Sequence, residues 1–410
     1  MIVDSARGGQ RTASVYSRGW GDASVLLSVA VVGIIATALS LASEIFEVLY
    51  MVCWIACFFL LSVQNRGSIR LTRYLGAYAA VLLLLLAVCF VGFIATGSSV
   101  YITGFFVVIA KPFIIYAIGS FLFWETKRLS VSGTHAFPRV LLVAYVLGAS
   151  TLAIWMLANY FPGFSAWLSN QMYIFEGKNA AGQIIGVAAI VCFVACFKSS
   201  RKVRILLGAL SAMLTLTVLV MQCRTACVAC LLSYAFVLLV TRNIKILACL
   251  IVAALIIFVV LPQAGDVVVH GFFLDLYAGA DANTLSSGRL GFWDAAVSEF
   301  LGSPIIGTGD YYTDNFYINA LANVGIAGAI PIFGLWGARI VLNVKYGYKT
   351  FSGNKDAVTN RILLALSIFY FIESILEGYP PFGPGSCSFM FWLLCGFADA
   401  ARSNLKAKGA

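Results

Sequence analysis

Residues 284–328 read TLSSGRLGFWDAAVSEFLGSPIIGTGDYYTDNFYINALANVGIAG and form the most polar, aromatic and glycine-rich part of an otherwise apolar chain. Ser286 and Ser287 can cap a short helix that places Arg289 in its first turn. Trp293 follows four residues later, on the same face of that helix. A polar segment of this kind between two apolar runs predicts a functional site that rests on a membrane scaffold.

Working outward from this stretch, the composition decides the class of protein. The chain has 410 residues, of which 61% are hydrophobic and 11% are charged. Apolar runs of about 20 residues, the length a bilayer requires, recur along it. The sequence therefore predicts an all-α integral membrane protein with about twelve transmembrane helices. The predicted spans are 24–42, 45–63, 75–96, 100–123, 140–160, 180–197, 203–221, 225–240, 246–263, 316–338, 362–378 and 385–401.

The spans divide the chain into five predicted parts. Residues 1–23 form a cytoplasmic tail and residues 24–263 hold spans one to nine. Residues 264–315 form a large extracytoplasmic loop with short helices, which is too long to be only a connector. Residues 316–401 hold the last three spans, and residues 402–410 form a second cytoplasmic tail.

The placement of basic residues predicts the orientation. Of the 27 Lys and Arg residues, 23 fall on the face that also holds both termini, and we expect them in loops there, Arg339 among them. The positive-inside rule makes this face cytoplasmic. The net charge of +10 is therefore explained by topology, and no nucleic-acid partner is expected.

Four basic residues do not follow this bias, namely Lys111, Lys178, Arg224 and Arg289. Three of them lie in or beside outer loops, whereas Lys111 lies inside the fourth span. A polyanion such as a lipid diphosphate would hold them there. The alternative is that each snorkels or pairs with a nearby carboxylate.

Nucleotide and metal chemistry have no motif in this chain. It contains no GxGxxG, P-loop, HExxH or EF-hand pattern, and its two histidines argue against a histidine metal site. We therefore predict no cofactor and no metal, and an enzyme here would need a donor that is already activated outside.

Four segments together resemble the O-antigen ligase and polymerase superfamily. Residues 286–309 are similar to its S/T-G-R, Trp and P-x-x-G-x-G pattern, and residues 314–328 to its H-N-x-Y-L…G-x-x-G segment. Residues 223–229 resemble its S-R-T-A-x-x-A, with Cys223 in place of the serine. Residues 176–182 resemble the K-N-x-x-G of exopolysaccharide polymerases.

This resemblance implies a metal-independent glycosyltransferase in the bacterial inner membrane. The growing glycan would leave its polyprenyl diphosphate carrier and join a sugar hydroxyl of another lipid-linked repeat unit at the outer face. Membrane lipids, a chain-length regulator and a flippase are the further expected partners. The alternatives are a ligase that transfers the glycan to lipid A-core or protein, and, in another class, a lipid-linked glycan flippase. Asp314 stands where ligases have a histidine, which favours the polymerase.

The mechanism implied by the resemblance assigns roles to particular residues. Arg224 and Arg289 would stabilise the leaving diphosphate, because a guanidinium binds phosphate in a bidentate way. Asp314 would accept the proton, with Asp310 and Glu377 as further candidates; the alternative for Asp314 is a helix N-cap before the tenth span. The predicted substrate-binding residues are Lys178, Asn179, Trp293, Asp310, Tyr311, Asn315, Tyr317 and Glu377.

Overall fold

The computed structural model describes residues 25–64, 72–129, 136–161, 177–246, 288–350, 357–383 and 385–408, together with residues 248, 252 and 283. This described part is built of helices joined by turns and contains no strand. The helices are α1 Val25–Leu39, α2 Glu44–Gln64, α3 Arg73–Thr96, α4 Val100–Thr103, α5 Phe105–Leu129, α6 Ala136–Tyr160, α7 Lys178–Cys196, α8 Arg201–Val220, α9 Arg224–Val240, α10 Arg289–Gly302, α11 Phe316–Thr350, α12 Ala357–Leu376 and α13 Phe389–Lys408.

Eight segments of the described chain are long and apolar enough to cross a membrane, and α1 and α9 are shorter apolar helices. Their outward surfaces are apolar as well: Phe59, Leu83 and Met213 are each more than 60% exposed. Such surfaces suit a lipid environment better than water. The predicted class of α-helical membrane protein is thus confirmed. The count of twelve spans stays a prediction, because span 246–263 and the tail 1–23 lie almost entirely outside the described residues.

Helix α7 lies at the centre of a group of helices, packed against α6, α8, α9 and α12. Most of its residues are buried, including the whole stretch from Ala181 to Cys192. At its start, a Cβ on Gly182 would come within 2.7 Å of the Cys223 Cβ, so only glycine allows α9 to approach this closely. This packing brings the first turns of α7 and α9 side by side.

Helices α5 and α13 pack along each other in the same way. A Cβ on Gly119 would lie 2.1 Å from the Leu393 carbonyl oxygen, and one on Gly396 would lie 1.9 Å from the Tyr116 carbonyl oxygen. Small residues therefore set the closest backbone contact in this second group of helices.

Helix α11 is interrupted at Gly325, whose φ of 57° and ψ of −169° are not helical. Residues 304–309, which follow α10, fill the interruption, and we call segments 304–309 and 322–327 together the splice. Four backbone hydrogen bonds join the two segments. The amides of Thr308 and Gly309 donate to the carbonyls of Ala322 (2.8 Å) and Asn323 (3.0 Å). In the other direction, the amides of Ile326 and Ala327 donate to the carbonyls of Pro304 (2.9 Å) and Ile305 (3.1 Å). Two carbonyls and two amides near the break thus find partners in the loop, which offsets the helical bonds lost there.

At the far end of α11 the structure corrects one expectation. The helix continues to Thr350, beyond the predicted end at residue 338, so Arg339 is not in a loop. Its side chain is fully buried, its Nη1 donates to Asp399 Oδ2 at 2.8 Å, and the Tyr116 hydroxyl donates to the same oxygen at 2.6 Å. A buried charge requires such a partner. Arg402 also donates to Asp399, and α13 continues to Lys408, through most of the predicted tail 402–410.

Candidate functional site

Three helices begin with a basic residue at one end of the bundle. Lys178, Arg224 and Arg289 are the first residues of α7, α9 and α10. The first amides of a helix lack intrahelical acceptors and carry a partial positive charge, so a basic residue there is electrostatically unfavourable without an anion. Arg73 and Arg201 also begin helices, but at ends that the sequence analysis predicts to face the cytoplasm.

Local sequence explains why the residue before each of these helices supplies no side-chain cap, although at α10 the Asn283 Oδ1 accepts from the Gly291 amide at 2.8 Å. Gly177 and Gly288, which precede α7 and α10, adopt a left-handed backbone at φ 82° and carry no side chain that could cap. Cys223, which precedes α9, donates its Sγ–H to the Lys178 carbonyl at 3.1 Å instead. Burial raises the pKa of the Cys223 thiol to about 12, against the opposing charge of Lys178, so this thiol is a donor and not a nucleophile.

Glu377 follows the last residue of α12 and links the three helices. Its Oε1 accepts from Asn179 Nδ2 at 3.0 Å and lies 3.5 Å from Arg289 Nη2, and the Thr225 hydroxyl donates to the same carboxylate. Burial raises the pKa of Glu377 to about 7; the charge of Asp314 adds to this rise, whereas Arg289 and Thr225 oppose it. One carboxylate therefore contacts residues from α7, α9 and α10.

Arg289 is held loosely between two carboxylates. Its Nε lies 3.5 Å from Asp314 Oδ2 and its Nη2 lies 3.5 Å from Glu377 Oε1, and its side chain is 23% exposed. A guanidinium has five N–H donors, and both contacts are longer than a good charge-assisted hydrogen bond. Several donors of Arg289 are thus open to a further acceptor within the described part of the site.

Asp314 is held from three sides. Its Oδ1 accepts from the Tyr312 hydroxyl at 2.9 Å, its Oδ2 faces Arg289, and its backbone oxygen accepts from Trp293 Nε1 at 3.1 Å. The N-cap of α11 is the next residue, Asn315, whose Oδ1 accepts from two first-turn amides at 3.0 and 3.1 Å. The capping alternative thus applies to Asn315, and the Asp314 carboxylate is directed at Arg289.

Arg224 and Lys178 lie beside this cluster, because the residue that follows each of them contacts Glu377. Thr225, which donates to Glu377, follows Arg224 directly, and Asn179 follows Lys178. Both basic side chains are half-buried. Lys111, the fourth basic residue outside the cytoplasmic bias, is exposed on α5.

Two predicted residues have contacts that belong to the bundle instead. The Asn315 amide donates to the Ile375 carbonyl at 3.0 Å in addition to capping α11. The Tyr317 hydroxyl lies 3.2 Å from Ser374 Oγ, and its ring packs against Phe333 at 5.3 Å between centroids. Asp310 and Tyr311 lie apart from the cluster and line a separate cavity.

A second hydrogen-bonded pair lies next to the Asn179–Glu377 pair and was not predicted from the sequence. Gln183 Nε2 donates to Glu373 Oε2 at 3.0 Å, one helical turn from the Asn179–Glu377 pair on both helices. The sequence did contain a signal for this pair. One apolar span holds the pattern N-x-x-x-Q and another holds E-x-x-x-E, and residues at i and i+4 lie on the same face of a helix. Thr225 was missed although it lies inside the quoted segment 223–229.

Comparison with protein-family models gives no match to this chain, and comparison with curated proteins gives none either. The geometry of the site therefore carries the functional argument, and the resemblance of the four segments remains a prediction.

Proposed function

We propose that this chain is a polysaccharide polymerase of the bacterial inner membrane. It would transfer a glycan from a polyprenyl diphosphate carrier to a sugar hydroxyl of another lipid-linked repeat unit. The observation that carries the proposal is the meeting of three helix N-termini, each with a basic first residue, around Glu377 and the open donors of Arg289.

A diphosphate suits this cluster electrostatically. Helix N-termini bind phosphate through backbone amides, and a guanidinium adds bidentate hydrogen bonds and a permanent charge. Arg289 would contact the diphosphate directly, with Arg224 and Lys178 beside it. These groups stabilise the negative charge that develops as the carrier leaves, which is the largest electrostatic demand of the reaction.

Glu377 suits the role of proton acceptor better than Asp314. Its pKa of about 7 lies near the working pH, which is where general base catalysis is most effective. Asp314 already accepts from Tyr312 and faces Arg289, which suits a positioning role. Asp314 as the base is the alternative.

The proposed reaction proceeds by one exchange of bonds. The bond between the anomeric carbon and the diphosphate oxygen breaks, and both electrons leave with the polyprenyl diphosphate. The acceptor hydroxyl oxygen forms the new glycosidic bond, and its proton passes to the carboxylate. The residues of the cluster would supply charge and a proton acceptor, and the energy of the donor bond drives the transfer.

The proposal includes twelve spans with both termini in the cytoplasm and the cluster on the outer side. The charge bias of the loops supports this orientation.

Arg289→Lys tests the proposal. Lysine keeps the charge but loses the planar fork, so polymer formation from purified lipid-linked repeat units without ATP should fall by about a hundredfold, the typical effect of losing one transition-state donor. Polymer length on a gel is the measurement. Working in detergent removes any second compartment, so a flippase would give no polymer with either protein.

Arg201→Lys is the matched control. It makes the same substitution at the first residue of α8, a helix that begins on the other side, and it should polymerise at the wild-type rate. An Arg289→Lys protein that polymerises as fast as this control would contradict the diphosphate site.

A further inference from the structure

A separate cavity of about 290 Å³ lies between the start of α5 and the turn that follows the splice. The residues that line it include the aromatic residues Phe105, Tyr312 and Tyr379, together with Thr103 and Asp310. Its volume lies just below the range of about 300–1,000 Å³ for drug-sized ligand pockets, which suits a single small polar unit.

The lining combines aromatic faces with a free carboxylate. The rings of Tyr312 and Tyr379 lie 5.3 Å apart at 49°. Asp310 is exposed and makes no hydrogen bond or ion pair with another described residue. Burial raises the pKa of the Tyr379 phenol, and the Asp310 charge adds to this rise, so its hydroxyl remains protonated. No Lys or Arg is among the described lining residues, so the cavity is unsuited to phosphate.

The floor of the cavity is rigidly built. Asn323 accepts from the Tyr311 amide at 3.1 Å and donates to the Tyr311 carbonyl at 2.7 Å, which fixes the backbone beside Asp310. Gly309 packs against the Tyr101 ring, since a Cβ there would come within 2.8 Å of it. These contacts fix the backbone that carries Asp310 before any ligand arrives, which lowers the cost of binding.

Tyr312 connects this cavity to the charged cluster. The residue lines the cavity, while its hydroxyl donates to Asp314, which faces Arg289. A ligand in the cavity would therefore be separated by one side chain from the groups that suit the diphosphate.

We propose that this cavity is a sugar subsite that binds one unit of the acceptor glycan. Aromatic faces pack on the C–H face of a pyranose, while the carboxylate and hydroxyls of the wall bond its hydroxyl groups. The uncompensated charge of Asp310 also favours a sugar that carries an amine. The acceptor role rests on the proposed function, whereas sugar binding itself does not.

Saturation-transfer NMR on the purified full-length protein tests the subsite. The probes are methyl glycosides of neutral hexoses and of 2-amino-hexoses, and no lipid donor is needed. Asp310→Asn should weaken binding of the preferred glycoside about tenfold, as expected for the loss of a charged hydrogen-bond partner. The substitution lies at an exposed position, so the fold should be unaffected. Asp294→Asn, at an exposed position of α10 outside the cavity, is the matched control and should bind as the wild type does.

The second arm of the experiment measures polymerisation with Asp310→Asn. The KM for the acceptor should rise about tenfold while kcat changes little. Binding of methyl glycosides that is the same in Asp310→Asn and in the control would overturn the subsite. If Asp310→Asn loses glycoside binding and the wild-type protein shows no polymerase activity, the result would support the subsite and count against the proposed function. The two outcomes are therefore distinguishable.

Discussion

Glu377 and Asp314 show how a few ångströms decide the roles of two carboxylates. Both lie 3.5 Å from the Arg289 guanidinium. Glu377 is buried and its pKa is raised to about 7, whereas Asp314 is about one-third exposed and bonded to Tyr312. The sequence predicted that both residues lie at an outer end of an apolar run. It could not show which one is buried, because burial depends on helices that are nearly 200 residues away in the chain.

The pH dependence of Asp314→Asn separates the two candidate bases. The negative charge of Asp314 raises the pKa of Glu377, so its removal lowers that pKa. If Glu377 accepts the proton, the wild-type rate rises with pH through about 7, and the variant keeps its activity to lower pH. The rate of polymerisation against pH is the measurement, and Asp294→Asn should leave the profile in place.

If Asp314 is the base instead, the pH dependence of the rate should look different. Asp314→Asn should then lower the rate of polymerisation at every pH by about a hundred- to ten-thousandfold, the usual contribution of a positioned base. A profile that does not move and a rate that does not fall would remove both carboxylates from the proton transfer.

At the scale of the element, the splice explains why glycines occur at particular positions of the sequence motifs. Gly307 and Gly325 have φ of 72° and 57°, and a Cβ on either would lie 2.3 Å from backbone of the other segment. These two glycines of the quoted stretch thus serve the joint between loop and helix. The sequence predicted one continuous span for 316–338, because a glycine inside an apolar run is compatible with a helix. Only the partner loop reveals the break.

Gly325→Ala tests the splice. The added methyl group meets the backbone of Ile305 and imposes an unfavourable left-handed conformation, which together should cost about 2–5 kcal/mol. A clear fall in melting temperature, or loss of monodisperse protein, is the expected result.

Gly334→Ala is the control in the same helix. A Cβ there meets nothing within 4 Å, and alanine is a better helix former by up to about 1 kcal/mol. Its melting temperature should equal or exceed that of the wild type. Equal melting temperatures for both alanine variants would show that the break is not needed.

At the scale of the whole molecule, the sequence predicted the helices better than their arrangement. Charged and polar groups avoid lipid, so the ends of apolar runs were visible, and Lys178, Arg289 and Glu377 were placed on one side. The structure brings these ends together. Close packing at positions such as Gly182 and Gly119 sets which helices touch, and a single sequence does not show which backbone each glycine faces. Tyr317 illustrates the limit, because its ring turns into the bundle.

Cysteine labelling tests the orientation of the whole chain. Asp294→Cys, in α10, should react with a membrane-impermeant maleimide in intact cells, because the cluster is proposed to face outward. Lys202→Cys, at the start of α8, should react only after the membrane is opened. The ten cysteines of the described part are buried, and the wild-type protein measures any remaining background. The reverse pattern of labelling would place the cluster in the cytoplasm.

The four shared hydrogen bonds between segments 304–309 and 322–327 also limit how this protein could be recombined with any chain of the same fold. A crossover that falls between the two segments would join a loop from one parent to a helix from the other, and the chimaera would have to reproduce both glycine positions and both sets of carbonyls at once. Productive exchange is therefore expected to move the whole block from α10 to the second half of α11 as a single inherited module.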